Sequence, residues 1–325
     1  MSGLFGTVAL LLGGILLLYL GAEWLVRGGV GLARRLGISP LIVGLTVVAY
    51  GTSAPEVIVG IQAGWSGHGE LALGNVIGSN IANLGLVLGL TAVLRPAPVP
   101  GTLARSEVPV LLVATLTLAL MLADGHVSAW EAWLLLGLAV VYSTWMIQRA
   151  HRDKDTDLHL AVTEAAAESA GAPRGGSMAR LSALVAVGLL LLMLGGHFLV
   201  QGAANLAKAF GMSERLIGLT IVAVGTSLPE LATSLLAAWR GHTDMAVGNV
   251  VGSNIFNLLL CLGAAGIPGQ VYSRPTLSNP DVWTLSVITL VAIFLLRTER
   301  NIRRWEGGLL LGGYGAYLIW LLASG

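Results

Sequence analysis

The chain has 325 residues, 55% of them hydrophobic and only 11% charged, with a formal net charge of +1. Soluble domains are about a quarter charged, so this composition and a mean hydropathy of +0.81 exclude an ordinary water-soluble fold. The near-zero charge leaves no basic stripe for a nucleic-acid partner, and a single cysteine, Cys261, excludes an internal disulfide or a cysteine-built metal centre.

Apolar runs follow one another along the chain. A spanning helix needs ~20 apolar residues, and ten segments read as spans: 4–26, 40–64, 70–93, 108–124, 128–148, 179–207, 214–239, 244–267, 282–297 and 303–323. The first has no basic n-region and too long an apolar core for a cleaved signal peptide, so it reads as the first span. Glu23, near its end, reads as interfacial. The expected fold is an all-α polytopic membrane protein of ten transmembrane helices, with the lipid bilayer as its surroundings. The chemistry places it in a cell membrane, inner or plasma.

Alternate assignment of the loops, beginning outside, puts fifteen of the eighteen lysines and arginines on one face. The positive-inside bias makes that face cytoplasmic and both termini extracytoplasmic. His68 and His242 fall in loops on opposite faces and read as solvated.

A shift of 174 residues aligns 21–90 with 195–264 without a gap. GLTVVAYGTSAPE (44–56) faces GLTIVAVGTSLPE (218–230) with ten identities in thirteen, and GNVIGSNIAN (74–83) faces GNVVGSNIFN (248–257) with eight in ten. Five spans precede the polar linker and five follow it. An odd number per half makes the second copy enter from the opposite face, so the halves are expected to be inverted repeats, a transporter architecture. The expected divisions are 1–148 (motif region 44–90), a cytoplasmic linker at 149–178, and 179–325 (motif region 218–264).

Each repeat carries polar residues in the middle of an apolar span. Pro55 lacks a backbone N–H and its ring clashes with the Gly51 carbonyl, so the helix is expected to open near 49–53 and free the carbonyls of about Ala49 to Thr52. Pro229 and Gly225 repeat the device around Ala223 to Thr226. Bare carbonyls at membrane depth survive only inside protein or beside a watery cavity. Glu56 and Glu230 are mid-span acids, each costing ~2.5–3.5 kcal/mol on insertion scales. No lysine or arginine lies at comparable depth in any span, so a cation or protons must neutralise them.

Thr52, Ser53 and Glu56 share one helix face, as do Thr226, Ser227 and Glu230. In the third and eighth spans, Ser79 with Asn83 and Ser253 with Asn257 repeat an i, i+4 pairing. Asn75, Asn80, Asn249 and Asn254 read at least as well as interhelical hydrogen-bonding groups. Gly74 with Gly78 and Gly85 with Gly89 stand at GxxxG spacing, which predicts close approach of a neighbouring helix. The donors are all hard oxygens, suited to Na⁺, Ca²⁺ or Mg²⁺ rather than zinc or copper. Two carboxylates balance one Ca²⁺, which takes 6–8 oxygens, while several Na⁺ ions could use the same set.

The paired motifs GTSAPE…GNVIGSNIAN and GTSLPE…GNVVGSNIFN resemble the two signature repeats of the calcium/cation antiporter superfamily, in its prokaryotic sodium/calcium exchanger branch. The resemblance covers nearly the whole chain. It implies that Glu56 and Glu230 bind Ca²⁺ and Na⁺ at the centre. Thr52, Ser53, Thr226 and Ser227 would add hydroxyls and carbonyls, and Ala49 and Ala223 carbonyls. Ser79 and Ser253 would serve flanking Na⁺ sites, Asn83 the central cluster, and the first and sixth helices would slide against the rest. The potassium-dependent branch carries Asp where this chain has Asn257, which argues against potassium co-transport. The transported ions Ca²⁺ and Na⁺ would be the only small partners, with no cofactor. A proton/calcium exchanger is the alternative. A serine hydrolase is disfavoured because no His or Lys base lies in the spans near Ser53 or Ser227, and the paired broken helices favour alternating access over a channel.

Overall fold

The computed structural model describes residues 2–152, 177–210, 223–268, 271–272, 279–298 and 301–324. In chain order the helices are α1 (Ser2–Leu36), α2 (Pro40–Thr52), α3 (Ala54–Trp65), α4 (Gly69–Leu94), α5 (Gly101–Met121) and α6 (Ala129–Arg152). The second half supplies α7 (Met178–Ala209), the turn α8 (Ala223–Gly225), α9 (Leu228–Trp239), α10 (Thr243–Gly266), α11 (Pro280–Thr298) and α12 (Arg304–Ser324). Eight helices are long and apolar enough to cross a membrane, and the bent pair α2–α3 makes up to nine among the described residues. Residues 214–222 of the expected 214–239 span lie outside the described residues, as does most of the 149–178 linker.

Helices dominate because lipid offers no partner for backbone N–H and C=O groups, which must be satisfied within each segment. The outward faces carry Leu12, Ile15, Leu120 and Phe294, all well exposed, as a lipid-facing surface requires. Exposed Trp65, Trp130, Trp239, Trp283 and Trp305 sit at helix ends, where amphipathic rings favour the membrane interface.

Two layers of burial organise the molecule. The most apolar window of α10 is 94% buried and that of α4 78%, against 28% for both α1 and α7. The repeated GNV–GSN helices are therefore the inner ones, and α1 and α7 pack outside them. A β-carbon at Gly14 would lie 2.9 Å from the Gly195 carbonyl, at Gly21 2.8 Å from the Gly188 carbonyl, and at Gly28 3.0 Å from the Leu181 carbonyl. Partners fall in number as α1 rises, so the two helices run antiparallel. Gly14, Gly21 and Gly28 recur every seven residues and face a matching series at Gly188, Gly195 and Gly202. Van der Waals packing of small residues takes the place of a hydrophobic driving force here.

Short antiparallel ladders join the loops. β1 (Ala97–Pro98) pairs with β4 (Asn301–Ile302), and β2 (His126–Val127) with β3 (Val271–Tyr272). Each ladder holds a loop of the first half beside a loop of the second. Two helices are longer than hydropathy predicts. α1 continues to Leu36 rather than ending near 26, and α5 begins at Gly101 rather than 108, with Pro109 inside it.

Candidate ion-binding site

The site begins with the breaks. α2 starts at Ser39, whose hydroxyl accepts the Ile42 N–H, followed by Pro40 with its preset φ. It runs to Thr52; Ser53 (φ −80°, ψ 1°) leaves the helix, and α3 restarts at Ala54–Pro55 at a bend of 43°. Ser227 (φ −88°, ψ 6°) does the same before Leu228–Pro229. The break is tighter than the sequence predicts: the Ala49 carbonyl is not bare, since it accepts the Ser53 N–H at 3.0 Å. Ala49 is fully buried, and Ala223 opens the short turn α8.

Breaking the helix puts each acid in the first turn of the new one. Glu56 opens α3 and Glu230 opens α9, where helix N-termini favour negative charge. Both are 0% exposed. Each acid faces the other motif's hydroxyls. Ser53 Oγ donates to Glu230 Oε1 at 3.1 Å. Glu230, Ser227 and Thr226 lie close around Glu56, but neither oxygen of Glu56 gains a hydrogen bond.

Thr52 Oγ1 donates to Asn249 Oδ1 at 3.2 Å, and Asn249 Nδ2 donates to Ser234 Oγ at 3.0 Å. On the other side, Ser79 and Thr226 hydroxyls lie 3.4 Å apart. Asn75 Nδ2 donates to the Glu56 carbonyl at 3.1 Å, as does the Cys261 thiol. Asn80 and Asn254 each bond the carbonyl four residues back, Val76 and Val250, at 2.7 Å. Asn83 and Asn257 differ from all these. Both are 0% exposed, and both amide ends lack partners.

Each of those two asparagines opens a five-residue π turn, Asn83–Val87 and Asn257–Cys261, and a third spans Gly44–Val48. Such turns are rare and concentrate at functional sites. The Asn83 turn lies against α9 and the Asn257 turn against α3, beside the two acids. Hydropathy carries no trace of these turns. Ser234 was also missed, although it stands one helical turn beyond Glu230.

Seven buried oxygens of the candidate residues therefore have no hydrogen-bond partner: both of Glu56, Oε2 of Glu230, the amide oxygens of Asn83 and Asn257, and the hydroxyls of Ser227 and Ser253. Each buried unsatisfied group costs ~1–3 kcal/mol, more when charged. Among the described residues no group of three or more His, Cys, Asp or Glu converges. The donor set is two acids and neutral oxygens, which fits a hard cation.

Two other buried acids, Glu23 and Glu107, have arginine partners. Glu23 is 6% exposed and held by Arg240 at 2.7 Å and Arg27 at 2.5 Å, so it is a buried ion-pair member rather than an interfacial group. Glu107 pairs with Arg149 at 3.0 Å. His242 is likewise buried rather than solvated, at 6% exposure. Burial, then the charges of Arg34 and Arg95, lowers its pKa. His68 is exposed, as expected.

The two faces of the site differ. A cavity of about 370 Å³ reaches Ser79 and Thr226, lined also by Asn75, Glu70 and Asp281. Gly74 and Gly78 line it, and the segment matching the one that packs on Gly248 and Gly252 lies outside the described residues; Gly85 and Gly89 pack closely against Tyr314 and Gly307 of α12. The corresponding Gly248 and Gly252 are sealed, their β-carbon positions 2.8 and 2.7 Å from the Leu41 and Leu45 carbonyls. The gap beyond, beside Ser39, Leu41 and Glu107, holds only about 20 Å³.

Comparison with known proteins agrees with this architecture. The family model for sodium/calcium exchanger protein matches residues 6–148 and 181–323. The chain is 39% identical over 325 residues to a putative antiporter, CaxA, of Alkalimonas amylolytica, covering 99% of this chain and 100% of that one. It is 30% identical over 341 residues to the sodium/calcium exchanger MaX1 of Methanosarcina acetivorans, covering 95% and 97%. A solved structure of the sodium-calcium exchanger NCX_Mj soaked with Na⁺ and Ca²⁺ superposes with a TM-score of 0.82 at 32% identity, covering 96% of this chain and 97% of that one. These relatives are transporters, not enzymes. With both halves matched, the chain belongs to the sodium/calcium exchanger protein family.

Proposed function

We propose that the protein is a secondary antiporter that exchanges Na⁺ for Ca²⁺ across a cell membrane by alternating access to the Glu56–Glu230 cage. The observation that carries the reading is the set of seven unpartnered buried oxygens around two acids that no arginine or lysine among the described residues neutralises. One Ca²⁺ balances both carboxylates and accepts mixed carboxylate, amide and hydroxyl ligands. Sodium ions use the same oxygens singly, with the Ser79–Thr226 and Ser253–Thr52 regions as flanking positions. The names of the solved and curated relatives support these ions.

Alternating access is supported by the contrast between the cavity of about 370 Å³ that reaches Ser79 and the gap of about 20 Å³ beside Ser39 and Glu107. Inverted repeats are supported by the antiparallel course of α1 and α7, which correspond under the 174-residue shift. The β ladders support the loop parity of ten spans: each joins two loops that alternate assignment puts on one face. In that scheme the open cavity faces outside.

Protons compete for the same carboxylates, so coupling to H⁺ is the reading the experiment must separate. Purified protein in sealed vesicles would be given an outward Na⁺, H⁺ or K⁺ gradient, and ⁴⁵Ca²⁺ uptake measured. The Na⁺ gradient is expected to drive uptake, and K⁺ to have no effect. Uptake driven by the H⁺ gradient alone would replace sodium coupling with proton coupling.

A further inference from the structure

Outside the cage, Glu107 and Asp281 occupy matching positions under the 174-residue shift. Each accepts a hydrogen bond from a tyrosine further along its own half. Tyr142 Oη donates to Glu107 Oε2 at 2.8 Å, and Tyr317 Oη to Asp281 Oδ1 at 3.1 Å. The partners are 35 and 36 residues apart in sequence, so the two halves carry one acid–tyrosine device in two copies.

The copies stand in opposite surroundings. Asp281 and Tyr317 line the open cavity that reaches Ser79. Glu107 is 1% exposed at the edge of the closed gap. Its free oxygen is taken by Arg149 Nη1 at 3.0 Å, and the same nitrogen bonds Ser106. The guanidinium lies 5.5 Å from the centroid of the Trp145 ring. Nearby, Phe256 contacts both Tyr50 and Tyr142, at ring-centroid distances of 3.7 and 5.6 Å, and the Tyr50 hydroxyl bonds Ser143.

We infer that the Glu107–Arg149 ion pair is the bolt of the closed face: Arg149 is a tethered cation masking the mouth carboxylate that Asp281 already presents on the open face. The inference rests on the alternating-access reading. A carboxylate at 1% exposure is costly to leave unpaired, and Arg149, whose side chain is 22% exposed, supplies a partner from the rim. When this face opens, water takes over hydration of Glu107 and the guanidinium is released. Without Arg149 the unpaired charge is drawn toward water, which biases the molecule toward opening on this side.

The test uses two reporter cysteines in a Cys261→Ser background, reconstituted in vesicles and labelled with a water-soluble maleimide. Leu41→Cys reports the closed gap and Val59→Cys the open cavity. Arg149→Gln is expected to speed labelling at 41 by about tenfold and to slow it at 59, as a two-state shift demands. Adding Glu107→Gln removes the charge that seeks water, and both rates should return to within about twofold of the parent. Arg149→Lys, which keeps the charge, should label between the two. Faster labelling at both positions would mean general loosening and overturn the bolt, as would unchanged rates or a double variant as open as Arg149→Gln. Labelling does not depend on which ions move. Absent Ca²⁺ flux with opposed labelling changes would contradict the antiport reading and leave the bolt supported.

Discussion

Glu56 and Glu230 are equivalent in sequence but not in bonding, since Glu230 shares one oxygen with Ser53 while Glu56 shares none. The ion-free cage holds its least compensated charge at Glu56. Glu56→Gln removes that charge at nearly constant shape, so the ion-free protein is expected to unfold at a higher temperature than the parent. The same change removes a charged ligand, so Ca²⁺ exchange should fall by ~100-fold or more, the factor for ~3 kcal/mol of charge-assisted bonding. Glu230→Gln should lose exchange similarly with a smaller stability gain, because the amide oxygen it introduces can still accept from Ser53. Thermal melts with and without Ca²⁺, alongside ⁴⁵Ca²⁺ flux, check both variants; near-normal flux in either would contradict the central role of that acid. At this scale the sequence was informative where residues broke a pattern. Proline, hydroxyls and an acid inside an apolar run have few explanations, and the run occurs twice. The crossing of Ser53 to the other half's glutamate was not legible, because it depends on which helix ends meet. Nor was the burial of His242, which looks like any loop histidine until Arg34 and Arg95 are placed beside it.

Helices α1 and α7 are both largely lipid-exposed, with 28% of the most apolar window of each buried, and their seam is built from glycines at near-contact distance. A seam of backbone against backbone lets the pair move as one body, which suits the sliding role that the family resemblance implies. Gly14 and Gly13 give a paired test on one helix. A β-carbon at Gly14 would lie 2.7 Å from the Leu199 nitrogen, while one at Gly13 meets nothing within 4 Å. Gly14→Ala should destabilise by ~1–3 kcal/mol through overpacking, whereas Gly13→Ala should be neutral or stabilising by up to ~1 kcal/mol through helix propensity. Thermal unfolding in detergent measures both, and equal effects would refute the seam. Element ends were the least legible feature. Hydropathy falls at Arg27, yet α1 continues because Arg27 pairs with Glu23 and Gly28 packs on Leu181 and Val185. The start of α5 was missed for a similar reason: its polar first turns are held by Glu107 bonding Tyr142 and Arg149. The π turns at Asn83 and Asn257 need an i→i+5 pattern that no hydropathy period reports.

For the whole molecule, the repeat and the charge asymmetry predict one orientation. A cysteine placed in the 149–178 linker of a Cys261→Ser protein should react with impermeant thiol reagent only after the cells are opened. The serine hydroxyl keeps a donor for the Glu56 carbonyl. Labelling from outside intact cells would reverse the topology. On the proposed antiport reading, the empty cage does not cross between faces, because its two buried carboxylates would be desolvated without a partner at a cost of several kcal/mol each. Bound Ca²⁺ or enough Na⁺ cancels the charge and permits the passage. The most direct measurement is ⁴⁵Ca²⁺ efflux from loaded proteoliposomes into Ca²⁺-free buffer containing either Na⁺ or choline. Efflux in Na⁺ and near-zero efflux in choline is the predicted result. Rapid efflux into choline, at a rate that a proton gradient does not change, would contradict obligatory exchange and identify a channel or uniporter instead.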